Sequence, residues 1–281
     1  QEIITHVVEK AKKSGLASVL LTFDPHPRKV LQANASMPLI QTLEERAATL
    51  ERYGLNHLVV HPFTKSFSKL SAAAYIEAIL MKMLNTKEIV IGHNHRFGKN
   101  RAAAVDDLKH FGNIYDFGVT QINPQQLDNI SISSTKIRMA LSAGDIKTAN
   151  SFLGHPFTLT GTVVKGHKKG RTIGFPTANI TVENADKIIP KGGVYTAQVN
   201  MIDKWYLGML NIGTNPTVNG QQQSIELHII GWSGNLYDQR IQVALLDRIR
   251  DEVKFDSMAE LQEQLEKDKD FILTDYKTLT L

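Results

Sequence analysis

The chain has 281 residues, 42% of them hydrophobic and 21% charged, which is enough for two globular domains and too apolar for a disordered polymer. It contains no cysteine, which excludes disulfides, thiolate nucleophiles and Cys-based zinc sites, and no apolar run reaches the roughly 20 residues of a membrane-spanning helix. Residues 1–156 carry 18 Lys/Arg against 13 Asp/Glu and residues 157–281 carry 14 against 15, with no basic run of five or more, so the net charge of +4 suits small anionic ligands better than nucleic acid.

In chain order, ASVLLTF (17–23) reads as a buried strand. Thr42 and Glu45 make a capping box that opens a helix, and Gly54 suits its stop. HLVVH (57–61) is a second strand, and Ser71 opens an apolar-faced helix. EIVIG (88–92) is a third strand and FGVTQIN (117–123) a fourth. Strands alternating with helices at this spacing predict parallel βαβ units, a Rossmann-like domain with ligands at the carboxyl ends of its strands.

The rhythm changes after Gly154-His155-Pro156. FTLTGTVV, ANITV, GVYTAQVNM, WYLGMLNIG, SIELHII and IQVALLDRIR are short strands separated by turns, and Ser257 with Glu260 caps a closing helix over 257–268. This pattern predicts a six-stranded antiparallel β-barrel with a C-terminal helix outside it. The fold class is therefore α/β plus all-β, with domains at 1–155 and 156–281.

Three stretches of the first domain carry candidate chemistry. Asp24-Pro25-His26-Pro27 follows the first strand directly, either as a rigid turn or as polar groups at a ligand-binding strand end. GHNHRFGKNR (92–101) follows the third strand. Its Gly92 and Gly98 permit close backbone approach, and Arg96, Lys99 and Arg101 can meet phosphates. His93 and His95 lack a third ligand at metal-binding spacing. ISSTKIRMAL (132–141) places Ser and Thr ahead of a helix, either as plain capping or as an anion site on free N–H groups. Lys136 and Arg138 in that first turn oppose the helix dipole, which favours an anionic ligand there.

In the second domain, GHKKGRTIGFPTAN joins two strands. Gly166, Gly170 and Gly174 make a flexible loop, and Lys168, Lys169 and Arg171 supply phosphate-directed charge. Thr177 and Asn179 follow Pro176 at i and i+2 and share a side in an extended chain. They are hard, neutral oxygen ligands suited to Mg²⁺ that is balanced by substrate phosphates. In SIELHII, Ser224, Glu226 and His228 share one strand face. Glu226 is either an exposed strand carboxylate or the group that accepts a hydroxyl proton in phosphoryl transfer.

GRTIGFPTANI, GVYTAQV, LNIGTNPT and SIELHI together resemble the riboflavin kinase domain. DPHP, IGHNHRFGKNR and ISSTKIR resemble the FMN adenylyltransferase domain that precedes it in the bifunctional bacterial family. The resemblance implies phosphorylation of riboflavin to FMN by the second domain and adenylylation of FMN to FAD by the first, with ATP as co-substrate and Mg²⁺ or Mn²⁺ as the metal. It implies that Thr177 and Asn179 bind Mg²⁺ and ATP phosphate, that Glu226 is the base for the ribityl 5′-hydroxyl, and that Gly170, Arg171 and Gly174 belong to a flap over ATP and flavin. Asn211 and Asn215 would line the nucleotide end. Asn94, Arg96, Phe97 and Gly98 would meet flavin or ATP, with Asp24 and His26 at the same cofactor site. Ser133, Ser134, Thr135 and Arg138 would hold phosphates.

One family feature is not in the sequence. The adenylyltransferase domain opens with a strand and an HxGH-type motif, and this chain starts at Gln1 with what resembles the following helix, so about the first 25 residues are expected to precede it. The expected setting is cytoplasmic, with small-molecule substrates and neither nucleic acid nor membrane as partner. Two other readings remain open: a riboflavin kinase with an inactive first domain, and a flavin-binding protein without catalysis.

Overall fold

The structure is a computed structural model, and it describes residues 2–32, 38–92, 96–122, 126–127, 130–166, 169–201, 204–217 and 220–276. The chain forms two compact units, Gln1–Met37 with Arg46–Ile132, and Pro38–Glu45 with Ser133–Leu281.

The first unit begins with α1 (Glu2–Lys13) and β1 (Val19–Phe23), followed by the short α2 (Pro27–Leu31). The next helix, α3 (Leu43–Arg52), has the expected capping box: Thr42 Oγ1 accepts from the Glu45 N–H (3.2 Å) and the Glu45 carboxylate accepts from the Thr42 N–H (3.0 Å). β2 (His57–His61) pairs with β1 in parallel. Ser71 caps α4 (Ala72–Tyr75), which continues as a π-helix over Ile76–Met83. β3 (Glu88–Gly92) pairs in parallel with β4 (Gly118–Ile122) across α5 (Val105–Tyr115).

No expected element corresponds to α5. Its N-cap is Ala104, which has no side-chain oxygen, and Gly112 sits in its interior. Both features have local causes. Asp107 accepts from the Ala104 N–H (2.8 Å), and a Cβ on Gly112 would stand 2.6 Å from the Phe117 carbonyl oxygen. Ile76, Ile79, Leu80, Ile91, Phe97, Ala103, Leu108 and Phe117 form this unit's buried core. Two short strands, β5 (Gln126–Leu127) and β6 (Ile130–Ser131), pair before the chain leaves it.

The second unit starts with α6 (Ser134–Ala143) and α7 (Ile146–Leu153). Both precede residue 156, yet they pack into the same compact unit as the barrel strands. Asn150 of α7 donates to the Leu245 carbonyl (2.8 Å) and accepts from the Phe157 N–H (2.7 Å), which ties the helix to two of those strands. Six strands close the barrel: β7 (Phe157–Val164), β8 (Ala178–Thr181), β9 (Gly193–Met201), β10 (Lys204–Thr217), β11 (Gly220–Ile229) and β12 (Arg240–Arg250), in the order β10-β11-β8-β7-β12-β9.

The period-2 pattern of FTLTGTVV buries Phe157, Leu159, Gly161 and Val163 on one face. Leu210 faces Leu227 and Ile212 faces Ile225 in register, so they share one face with buried neighbours. On the opposite face, Val194, Leu207, Met209 and Phe175 pack with Ile272 of α8 (Met258–Asp275). The α8 helix runs about two turns beyond its expected end and is held by buried Asp268, whose carboxylate receives Arg250 Nε and Nη2 (3.0 and 2.7 Å).

A second buried pair joins Lys187 to Glu45 at 2.5 Å. The lysine also donates to the Ile40 carbonyl (2.8 Å) and lies 4.3 Å from the Phe157 ring centroid. Burial pushes the Lys187 ammonium below its ordinary pKa, against the pull of Glu45.

Candidate active site

The residues Thr177, Asn179 and Glu226 come together on the barrel. β8 runs antiparallel to β11 with Asn179 opposite Glu226, and β10 runs antiparallel to β11 with Asn211 also opposite Glu226. Directly opposite residues point to the same side of a sheet. Asn179, Glu226 and Asn211 therefore form a row across three adjacent strands, on the face next to α8. Thr177 precedes β8, and its Oγ1 donates to Glu226 Oε2 at 3.2 Å.

Asn179 has a built seat. A Cβ on Gly166 would lie 2.0 Å from Asn179 Nδ2 and 2.5 Å from its Cγ, so the amide rests on bare backbone. Asn211 Nδ2 leans toward Glu252 Oε1 (3.4 Å). The side chain of Asn215 lies outside the described residues.

The other side of the same segment opens on a cavity of about 530 Å³. Val163, Ala178, Leu227 and Ile229 supply an apolar wall, Trp232 adds an aromatic one, and Arg171, Thr177, Ser233, Asn235 and Tyr237 bring polar groups to the lining. Glu226 is not among the lining residues. Thr177 thus has the cavity on one side and the Glu226 carboxylate on the other.

The loop over 169–175 is folded on itself. The Phe175 N–H donates to the Gly170 carbonyl (2.8 Å), and Gly174 takes φ 83°, a conformation that suits glycine. His228, on the face of Glu226, sets Nδ1 2.9 Å from the Pro176 carbonyl. Burial pushes its imidazole below the ordinary histidine pKa, with that carbonyl acting the other way.

In the first unit, Asp24 and His26 lie just past the carboxyl end of β1. The Asp24 N–H donates to the His61 carbonyl (3.2 Å), and His26 accepts from the Arg28 N–H (3.2 Å), capping α2. Arg46 of α3 joins them: its Nη1 donates to Thr22 Oγ1 (3.0 Å), and burial lowers its pKa while Asp24 opposes the shift. Half-buried rings gather at these strand ends, with Phe23 5.4 Å from Phe63 and His61 4.6 Å from Phe67 between centroids.

Arg96 is exposed at the end of the loop after β3, whereas Phe97 is buried in the core against Tyr75. Gly98 takes φ 73°, and a Cβ there would meet the Ala72 backbone at 3.1 Å. Asn94, His93 and His95 lie outside the described residues, as does Lys168. Among the described residues, no cluster of three or more His, Cys, Asp or Glu has metal-binding geometry.

Ser133 caps α6 by accepting from the Lys136 N–H (3.3 Å), while Ser134 and Thr135 are exposed at that N-terminus. Arg138 Nε donates to the Pro38 carbonyl (2.7 Å). These four residues belong to the unit of the barrel.

Sequence reasoning did not single out Arg46, the Trp232 wall or the His228–Pro176 contact. Arg46 sits inside an ordinary helical run, TLEERAATLER, and no local pattern marks it. The sign available for His228 was its place on the Glu226 face.

Comparison with known proteins bears on the whole chain. Residues 1–136 match the family model of FAD synthetase, and residues 153–274 match that of riboflavin kinase. A bifunctional riboflavin kinase/FMN adenylyltransferase from Listeria monocytogenes is 37% identical over 96% of this chain and 85% of its own length. The Escherichia coli K12 protein of the same name is 34% identical over 93% of this chain and 83% of its own. A solved structure from Streptococcus pneumoniae, described as a macrolide-efflux protein, superposes with a TM-score of 0.87 at 33% identity, covering 96% of this chain and 87% of that one. That description belongs to that protein. In this chain no helix among the described residues is long and apolar enough to cross a membrane.

Proposed function

This chain belongs to the bifunctional riboflavin kinase/FMN adenylyltransferase family, and from that premise we propose how its barrel phosphorylates riboflavin. Glu226 is the general base, Thr177 and Asn179 hold the phosphates of ATP, and the cavity beside Thr177 takes the nucleoside. The observation that carries this reading is the hydrogen bond from Thr177 to Glu226, with Asn179 opposite Glu226 in the sheet.

The two sides of Thr177 suit the two substrates. A base must stand at the hydroxyl that attacks, so the acceptor alcohol lies on the Glu226 side. The donor then comes from the other side, where the Val163, Leu227 and Trp232 walls suit a flat base and Arg171 suits phosphate. The 5′-hydroxyl oxygen of riboflavin forms a bond to the γ-phosphorus of ATP as its proton passes to Glu226. The bond from that phosphorus to the β,γ-bridging oxygen breaks, and ADP leaves.

The donor set fits a hard divalent cation. Thr177 spends its proton on Glu226, which leaves its oxygen lone pairs to face outward, and Asn179 offers an amide oxygen. Thr177 and Asn179 would hold Mg²⁺, or Mn²⁺ in its place, together with phosphate oxygens. When bound, the ion supplies charge neutralisation on the transferring phosphoryl group.

Adenylyl transfer from ATP to FMN, with release of pyrophosphate, is proposed for residues 1–155 and the kinase step for 156–281. At the strand ends, Asp24, His26, Arg96, Gly98 and the half-buried rings suit a flat, phosphorylated ligand. In the second unit, the N-terminus of α6, with Ser133, Ser134, Thr135 and Arg138, by itself suits phosphate. Dependence on ATP suits a cytoplasmic setting.

The test is incubation of the chain with riboflavin, ATP and MgCl₂, followed by chromatography of flavins and nucleotides. ADP and FMN in equal amounts, then FAD, are expected. Retention of riboflavin without ADP would make the protein a binder and not a kinase.

A further inference from the structure

Phe175, Pro176 and His228 form a small buried group one residue before Thr177. The register of β8 with β11 runs Asn179↔Glu226 and Ala178↔Leu227 and ends there. Thr177 therefore stands just outside the ladder, and its position depends on what fixes the chain ahead of it.

Two constraints meet at Pro176. Its ring locks φ, which leaves ψ to orient the next peptide plane. That plane contains both the Pro176 carbonyl and the Thr177 nitrogen, because the peptide unit is rigid. His228 Nδ1 lies 2.9 Å from this carbonyl oxygen. A carbonyl can only accept, so Nδ1 carries the proton and the bond pins ψ.

The histidine is itself held. It is buried, and its ring centroid lies 5.0 Å from that of Phe175, which is 2% exposed. Lys269 of α8 lies 5.8 Å from the Phe175 ring centroid, and Lys269 and Glu266 are the charged groups that act on His228 from that helix.

We propose that His228 is a positioning residue of the kinase site, which sets the place of the Thr177 hydroxyl by holding the Pro176 carbonyl. The inference rests on the roles given above to Thr177 and Glu226. His228 touches no substrate in this account. It acts through one peptide plane, and losing the bond lets Thr177 drift from Glu226 and from the ATP phosphates. A misplacement of about 1 Å can cost on the order of 100-fold in rate.

The experiment compares His228→Asn, His228→Gln and His228→Leu by steady-state kinetics of FMN formation and by thermal unfolding. An asparagine amide reaches the place of Nδ1, whereas a glutamine amide reaches that of Nε2. His228→Asn is expected to keep kcat within about 3-fold of the unmodified protein. His228→Gln and His228→Leu are expected to lose about 30- to 100-fold in kcat, with KM for ATP and riboflavin changed less than about 3-fold.

Equal kcat for the asparagine and glutamine variants overturns the inference, as does full activity of the leucine variant. If the leucine variant does not fold, the asparagine–glutamine pair still decides. A failure of the unmodified chain to make FMN overturns the kinase reading itself. Activity that Glu226→Gln abolishes but no His228 variant changes overturns only the role of His228.

Discussion

Thr177 and Glu226 are 49 positions apart in the chain and are joined by a hydrogen bond of 3.2 Å from Oγ1 to Oε2. The bond sets a hydroxyl and a carboxylate side by side where the loop that carries Gly170 and Gly174 enters the barrel. It also orders the chemistry. In the proposed reaction the carboxylate serves the acceptor alcohol and the hydroxyl, which also lines the cavity, helps hold the phosphates of the donor.

The seat of Asn179 gives a first prediction. A methyl group on Gly166 would fall 2.0 Å from Asn179 Nδ2, so Gly166→Ala must displace that amide. The variant should lose about 10-fold or more in kcat for FMN formation through misplacement of a phosphate-holding group. Its conversion of FMN to FAD should be unchanged. Parallel assays of the two products check this, and equal loss in both would show that the glycine acts through general stability.

The buried pair of Lys187 and Glu45 gives a second. Lys187→Met would leave a carboxylate in the interior without its lysine, which typically costs about 3–5 kcal/mol. Urea or thermal unfolding should show the loss, and Lys187→Met with Glu45→Gln should recover part of it. A single variant as stable as the unmodified chain would contradict the burial of this pair.

A third concerns pH. The folded pKa of His228 lies below its ordinary value of 6.5, mainly because burial disfavours the charged ring. The unfolded chain therefore takes up this proton first as pH falls. The stability that neutral His228 contributes is present above 6.5 and is lost as pH drops through the lower folded value. Unfolding midpoints measured downward from pH 7 should fall faster for the unmodified chain than for His228→Asn, and identical slopes would contradict the assignment.

Much of the architecture was legible because it is written in local periods. The alternation of FTLTGTVV gave β7, and the Thr42–Glu45 pair gave the start of α3, where the side chain of one residue satisfies the backbone of another. Glu226 stood out as a carboxylate in mid-strand between Ile225 and Leu227. The Ser257–Glu260 box was only half realised: Ser257 accepts from the Glu260 N–H, but the Glu260 carboxylate accepts from Asp256 instead.

What was not legible depends on partners far apart in the chain. Lys187 and Glu45 are 142 positions apart, and nothing near either one marks it for burial. The packing of α7 on the barrel rests on two bonds made by Asn150, whose own neighbourhood reads as an ordinary amphipathic helix. Phe97 lies in a glycine- and arginine-rich loop that reads as ligand-facing, yet its ring is 7% exposed, because the β-bridge of Phe97 with Ala103 turns it into the core.

The claim on which the kinase account depends is that the Glu226 carboxylate takes the proton of the attacking hydroxyl, and Glu226→Gln tests it most directly. Glutamine keeps the size of the side chain and an oxygen to accept from Thr177, but loses the base. With one preparation assayed for both products, FMN formation from riboflavin should fall by about 100- to 10,000-fold, while FAD formation from supplied FMN stays at the unmodified rate. FMN formation at the unmodified rate, or an equal fall in both products, would contradict the account.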